Sequence, residues 1–212
     1  MRIEPDEWQA AHPEVARLGR AALEALEREG ARLVPIHLKL APHAPAIGYL
    51  TIALEVHAGL REVRRDHMDA LGPDLQVLLS GLDAFLSDDY LDAQRLRSAL
   101  RSEMASTLAD VDVIALPSTA TTAPRIEDDE LTSGILDPDA LQAACRFAFL
   151  ANLTGLPAAS VPVGLAGDGL PVGLQIIGDA WDESCVLQVV AHLERIGAAV
   201  VPRPAAAVDL LA

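Results

Sequence analysis

"NLTGLPAASVPVGLAGDGLPVGLQIIG", residues 152 to 178, carries one charged side chain, Asp168, in twenty-seven positions. Three physical readings compete for it. A membrane span needs about 20 consecutive, predominantly apolar residues. This run is interrupted by Pro157, Pro162 and Pro171, by six glycines, and by polar Asn152, Thr154, Ser160 and Gln175. A backbone broken so often cannot satisfy its own hydrogen bonds in lipid. A flexible linker is rich in Gly and Ser and has no use for the Val, Leu and Ile found here. The third reading is a pair of short buried strands joined by a turn. "AASVPVG" and "PVGLQIIG" are β-compatible apolar runs, and "LAGDG" between them supplies residues that tolerate positive φ. The stretch reads as core.

Working outward, the strands alternate with helical patterns. Residues 13–29 place Val15, Leu18, Ala22, Leu23 and Leu26 at helical spacing, with Gly30 as a C-terminal cap. "ARLVPIHLKLAP" (31–42) alternates Ile36, Leu38 and Leu40 against His37 and Lys39, the signature of an extended segment. Residues 46–69 read as a helix with a charged second half. A loop near Gly72-Pro73 leads to another apolar helical piece ending at Phe85. Residues 88–110 form a long amphipathic helix that starts with Asp88 and Asp89, where carboxylates suit the helix dipole. "VDVIALP" (111–117) is a buried strand. "STATTAP" (118–124) and the acidic "RIEDDELTSGILDP" (125–138) are loops. Residues 138–151 are helical, 182–197 close as an amphipathic helix, and 201–212 form a tail. Such alternation predicts a single α/β domain over residues 1–212, with a mixed β-sheet flanked by helices.

Composition excludes several functions. The chain has 212 residues, 51% of them hydrophobic, only 3% aromatic, and a net charge of −15. A nucleic-acid surface needs a basic stripe, whereas the fifteen arginines here are scattered among more numerous carboxylates. No nucleic-acid or membrane partner is expected. Cys145 and Cys185 are the only cysteines and have no metal-ligand or CxxC spacing, so reduced core thiols in a cytoplasmic protein are expected. The start, "MRIEPDEWQA", has no basic n-region and no apolar h-region, so no signal peptide is expected. The six histidines include no HExxH or comparable spacing; neither a metal nor another cofactor is implied.

Three ordered stretches carry a resemblance: 90–124 ("YLDAQRLRSALRSEMASTLADVDVIALPSTATTAP"), 147–164 ("FAFLANLTGLPAASVPVG") and 168–194 ("DGLPVGLQIIGDAWDESCVLQVVAHLE"). Together they resemble the amidase signature family, most specifically in Asn-x-x-Gly-Leu-Pro followed by Gly-Leu-Pro-Val-Gly-Leu-Gln. The resemblance covers nearly the whole chain but only the C-terminal half of the family. It implies that 152–178 is the hairpin completing a larger central sheet. It also implies amide hydrolysis by a serine nucleophile, a second serine in a cis peptide and a neutral lysine base, all upstream of the matching region.

None of these three is found in the 212 residues. A serine hydroxyl needs an adjacent base and oriented N–H donors to attack near neutral pH. The sequence has no Gly-Gly-Ser-Ser run and no G-x-S-x-G elbow. Lys39, the single lysine, lies opposite Ile36, Leu38 and Leu40 in the alternating segment, and so on an exposed face. No catalytic residue is therefore assigned. The expected protein is a truncated or split amidase, inactive in isolation and assembled with a complementary chain that bears Ser, Ser and Lys. The alternative is a non-catalytic interaction or small-ligand-binding protein that reuses the half-fold as a homo-oligomer.

Four residues are candidate substrate contacts. Arg97 resembles the arginine that holds a substrate carboxylate in the family's glutamine-using branch; the other reading is a helix arginine, solvated or paired with a nearby carboxylate. Cys145 matches a position that in that branch is an aspartate binding the substrate ammonium. A thiol cannot supply that charge, and packing is its other role. Thr121 and Thr122 lie in a loop that approaches the substrate pocket in the family; their hydroxyls either meet a ligand or satisfy the loop backbone.

Overall fold

The computed structural model describes residues 2–3, 8–128 and 137–200. The hairpin is present: β4 (Ala158–Leu165) and β5 (Pro171–Gly178) pair antiparallel. Its turn closes through Gly169 N–H to Ala166 O at 2.9 Å and Leu170 N–H to Asp168 Oδ1 at 3.0 Å, with Gly169 at φ +82°. Only glycine holds that φ without a Cβ penalty. β3 (Val113–Pro117) pairs antiparallel along the other side of β5, giving the order β3-β5-β4. The parallel pairing of the sheet architecture occurs separately, between β1 (Arg2–Ile3) and β2 (Pro35–Ile36).

Successive residues of a strand point to opposite faces, and β5 uses both. On one face Leu174 meets Gly19 of α1 (Pro13–Arg28), and Gly178 meets Val186 of α8 (Glu183–Arg195). On the other face the Gln175 side chain donates to Phe147 O at 3.3 Å. Phe147 links α6 (Pro138–Cys145) to α7 (Ala148–Thr154). Burial on both faces explains why β5 reads as a continuous apolar run, whereas edge strand β4 buries Val161 and Val163 in alternation. Pro162 is tolerated because, among the described residues, no strand pairs along the other side of β4, and the ladder skips a residue between Pro162 and Gly164.

Behind α6 and α7 lies a helical layer. It comprises α2 (Ala44–Gly59), α3 (Arg61–Asp66), α4 (Pro73–Gly81) and the long α5 (Ser87–Leu108). α5 buries Ala93, Leu100, Met104 and Leu108, one narrow stripe at helical spacing. Asp89 starts it by accepting Leu86 N–H at 2.7 Å. Phe149 of α7 stands edge-on to Tyr49, with centroids 4.8 Å apart, and its ring lies over Gly48.

Three expectations are refined by the structure. The extended segment 31–42 pairs only at Pro35 and Ile36; Ile36 and Leu38 are buried, but a 3-10 turn at Ala41–His43 ends it. Glu103 holds that turn by accepting Lys39 N–H at 2.7 Å and Leu40 N–H at 3.1 Å. The helix expected over 46–69 breaks at Leu60, where α3 begins. The helix expected over 138–151 divides at Arg146-Phe147, which lets Phe147 O reach Gln175. The middle of the acidic loop (129–136) and the tail (201–212) lie outside the described residues.

Two glycines of the same helix give a test of the α2–α7 contact. A Cβ on Gly48 would sit 2.0 Å from Phe149 Cδ1, and that ring is 4% exposed with Tyr49 against it. A Cβ on Gly59 would meet nothing within 4 Å. Gly48→Ala is expected to destabilise the fold by about 1–3 kcal/mol through overpacking. Gly59→Ala should stabilise it by about 0.5 kcal/mol through the unfolded state. Urea unfolding of the two variants reads the difference in sign.

Candidate functional site

The second face of the sheet becomes shallow at the end where β5 begins. Facing positions there are Gly173 on β5, Ser160 on β4, and Ser118 immediately after β3. Ser118 N–H donates to Gly173 O at 3.0 Å, and Ser118 Oγ lies 2.5 Å from Ser160 Oγ. A Cβ at Gly173 would come within 2.7 Å of Ser118 Oγ and 3.0 Å of Ser160 Oγ. The glycine thus leaves the room in which the two hydroxyls meet. A glycine inside a strand often marks such a close approach.

Above this floor opens a cleft of about 520 Å³, walled by loop 118–124, Ala144, Pro162, Pro171 and Val172. Its loop is fastened on three sides. Ala120 N–H donates to Ala143 O at 2.9 Å, and Ala120 O accepts His12 N–H at 2.6 Å. Thr119 Oγ1 donates to Thr121 O at 2.7 Å. Thr122 Oγ1 donates to Asp168 Oδ2 at 2.8 Å, which ties the loop to the hairpin tip. The Leu170 N–H, and then the Thr122 hydroxyl, hold the Asp168 carboxyl below its usual range. The same tip is held from α1, where Glu14 Oε2 accepts Gly167 N–H at 3.0 Å.

Of the four candidate contacts, Thr121 and Thr122 line this cleft. Cys145 ends α6, one residue beyond the cleft-lining Ala144, and its thiol faces Tyr49. The Tyr49 hydroxyl donates to Leu141 O at 3.3 Å, and its pKa is pushed up to about 12 by burial and then by the Cys145 thiol. Arg97 lies elsewhere, on α5. Its Nε donates to Leu153 O at 2.7 Å, and Nη1 lies 3.4 Å from Gln94 Oε1. The carboxylate partner considered for Arg97 is replaced by a main-chain carbonyl, so the guanidinium closes the end of α7. The roles of Ser160 and Gly173 emerge only from the structure, although a glycine within an apolar strand is the available sequence signal.

Among the described residues, the polar side chains that line the cleft are hydroxyls. Ser118 and Ser160 bond to each other, and the Lys39 side chain is exposed on a different segment. A second cavity, of about 370 Å³, lies at the opposite end of β3 and includes Arg32, Asp112, Cys185 and His192. Burial, followed by Asp182 and Asp112, pushes the Cys185 thiol up in pKa. A thiol kept protonated is a poor nucleophile. The hydroxyl-floored cleft, which holds two of the four candidate residues, is the candidate site.

Known proteins share this arrangement of elements. The amidase family model matches residues 2–187. A fatty acid amide hydrolase of Medicago truncatula is 40% identical over 141 residues, covering 66% of this chain and 23% of that protein. The A subunit of the glutamyl-tRNA(Gln) amidotransferase of Psychrobacter cryohalolentis is 34% identical over 205 residues, covering 85% of this chain and 40% of that protein. The crystal structure of the Thermotoga maritima counterpart of that amidotransferase protein superposes with a TM-score of 0.71 at 26% identity, over 92% of this chain and 41% of that one. A vestigial protein complex bearing on the origins of an s-triazine catabolic enzyme shares the fold, with a TM-score of 0.80 at 21% identity over 93% of this chain and 42% of that one. The chain spans 23% to 40% of the lengths of the two curated relatives. By the match of its sequence and its fold, the chain belongs to the amidase family.

Proposed function

We propose that these 212 residues form the substrate-cleft half of an amide hydrolase whose serine nucleophile, second serine and lysine base come from a complementary segment. The observation that carries this reading is the cleft itself. It is built, fastened and lined with hydroxyls; the Ser118 and Ser160 hydroxyls bond to each other, and the carboxylate beside the cleft, Asp168, is engaged by Thr122 and the Leu170 N–H. Thr121 and Thr122 form its wall, while Arg97 and Cys145 act from behind, closing α7 and packing against Tyr49.

The isolated chain is expected to hydrolyse simple aliphatic and aromatic amides at background rate, because losing a nucleophile in triad hydrolases costs on the order of 10⁶-fold. Mixing it with the N-terminal region of an amidase relative that carries the Gly/Ser-rich signature should restore ammonia release. Saturable turnover by the chain alone, abolished in Ser118→Ala or Lys39→Ala, would falsify the reading. A stable homo-oligomer that ignores the complementary region would favour a non-catalytic ligand-binding protein instead.

The same reading sets an expectation for assembly. Val77, Leu86, Leu187 and Trp181 are 68%, 69%, 61% and 93% exposed. Among the described residues, β3 also ends the three-stranded ladder with an unpaired side. Open strand edges and exposed apolar side chains invite a partner. Sedimentation is expected to show species larger than the 22.4 kDa chain. A single species of that mass over a wide concentration range counts against the proposal.

A further inference from the structure

In a chain whose net charge is −15, the six residues of α3 include three cations, Arg61, Arg64 and Arg65. Positions i, i+3 and i+4 share one face of a helix, so these guanidiniums repel one another along it. They converge all the same. All three line a cavity of about 390 Å³ between α3 and α4. Its other lining residues are Met68, Leu79 and Ser80, with Asp83 from the 3-10 turn after α4. Leu79 has no exposed surface and roots that wall in the fold.

Two of the arginines are fixed by the protein itself. Arg64 Nη2 donates to Asp83 Oδ1 at 2.8 Å and Nη1 donates to His57 O at 3.2 Å. His57 Nε2, on α2, lies 2.9 Å from the same Asp83 oxygen, which holds the carboxylate from a second side. The Arg64 side chain is 20% exposed, so its guanidinium is a partly desolvated charge in a set position. Arg65 spans both oxygens of Asp66, through Nε at 2.9 Å and Nη2 at 2.8 Å. Among the described residues, these bonds use two of the five N–H donors that each guanidinium carries.

Such a cavity suits a group with several negative oxygens. The planar arginine fork matches phosphate oxygens in pairs, and it is weakly hydrated for a cation. A phosphate monoester brings about two negative charges near neutral pH and three strong acceptor oxygens. Three oxygens can meet three guanidiniums, and the Ser80 hydroxyl adds a further donor. A carboxylate brings one charge and two oxygens, which one fork satisfies.

We propose that Arg61, Arg64 and Arg65 form a binding site for the phosphate group of a phosphomonoester, in the cavity between α3 and α4. The site shares no lining residue with the hydroxyl-floored cleft and does not depend on the hydrolase reading.

The test is titration of the full 212-residue chain with inorganic phosphate and with glycerol 3-phosphate at constant ionic strength. Calorimetry reads the affinity and backbone-amide NMR the place. Saturable shifts are expected at Arg61, Arg64, Arg65 and Ser80, with phosphate bound at least about tenfold more tightly than acetate. Arg61→Gln/Arg65→Gln should weaken phosphate binding about tenfold or more. Both side chains are exposed, so thermal unfolding of that variant should stay where it is. Arg61→Lys/Arg65→Lys keeps the charge but removes the forks, and should bind phosphate at least about threefold more weakly than the parent chain. Full affinity in the lysine variant, equal binding of acetate, or no saturable shift in the cavity overturns the proposal. Flotation with phosphatidylcholine vesicles containing phosphatidate separates the two sources of such a group. Arginine-dependent flotation assigns the site to a lipid headgroup; glycerol 3-phosphate binding without flotation assigns it to a soluble ligand. Ammonia release by the mixed halves is a separate readout, so failure of either reading leaves the other standing.

Discussion

β5 is hydrogen-bonded along both edges and covered on both faces, and the positions of the other elements follow from that double confinement. Leu174, Ile176 and Gly178 face α1 and α8; Gly173, Gln175 and Ile177 face the α6–α7 segment. A strand buried this fully has no solvent to satisfy a polar side chain, so Gln175 must find a partner within the fold. It does so in Phe147 O, and the break between α6 and α7 is what presents that carbonyl. The cleft arises on the same face by subtraction. Where Gln175 and Ile177 give way to Gly173, and the flanking positions shrink to serines, the layer of side chains ends and a cavity begins.

The two helical layers are joined by contacts of different character. Between α2 and α7 the fit is steric, with a phenyl ring lying directly on a glycine. Between α5 and α7 it is polar: Thr51, Gln94 and Arg97 link α2 through α5 to the carbonyl end of α7. Removing an arginine that is bonded to a main-chain carbonyl leaves that acceptor unsatisfied, which is costly where the site is half-buried. Arg97 thus ties α5 to the carbonyl end of α7.

Much of this was legible in the sequence, and the reasons differ by element. The hairpin was readable because its glycines and prolines fall where the turn and the edge require them, and because a chargeless run in an acidic chain has few uses other than burial. α1 was readable to the residue at its start, where Pro13 follows a capping His12. The break at Arg146-Phe147 was not, since it holds no glycine or proline, and the break at Leu60 was marked only by the preceding Gly59. The loop threonines could be flagged from their place after a buried strand. The Ser118–Ser160 pair could not, because it depends on the register across β5, which single-strand patterns do not contain.

The order of the strands along the chain has a consequence for how the molecule is made. β4 and β5 are neighbours in sequence and close through a short turn, whereas β3 precedes its partner β5 by α6, α7 and the whole of β4. A ribosome therefore releases "VIALP", four of whose five residues end up buried, well before the strand that will cover its edge exists. Long-range pairing of this kind carries a larger loop-closure entropy than a hairpin does and slows folding. During that interval the apolar β3 is an open template for another chain. Protection falls to the elements already synthesised: α1, which packs against β3 in the finished fold, and α5, which leads directly into it.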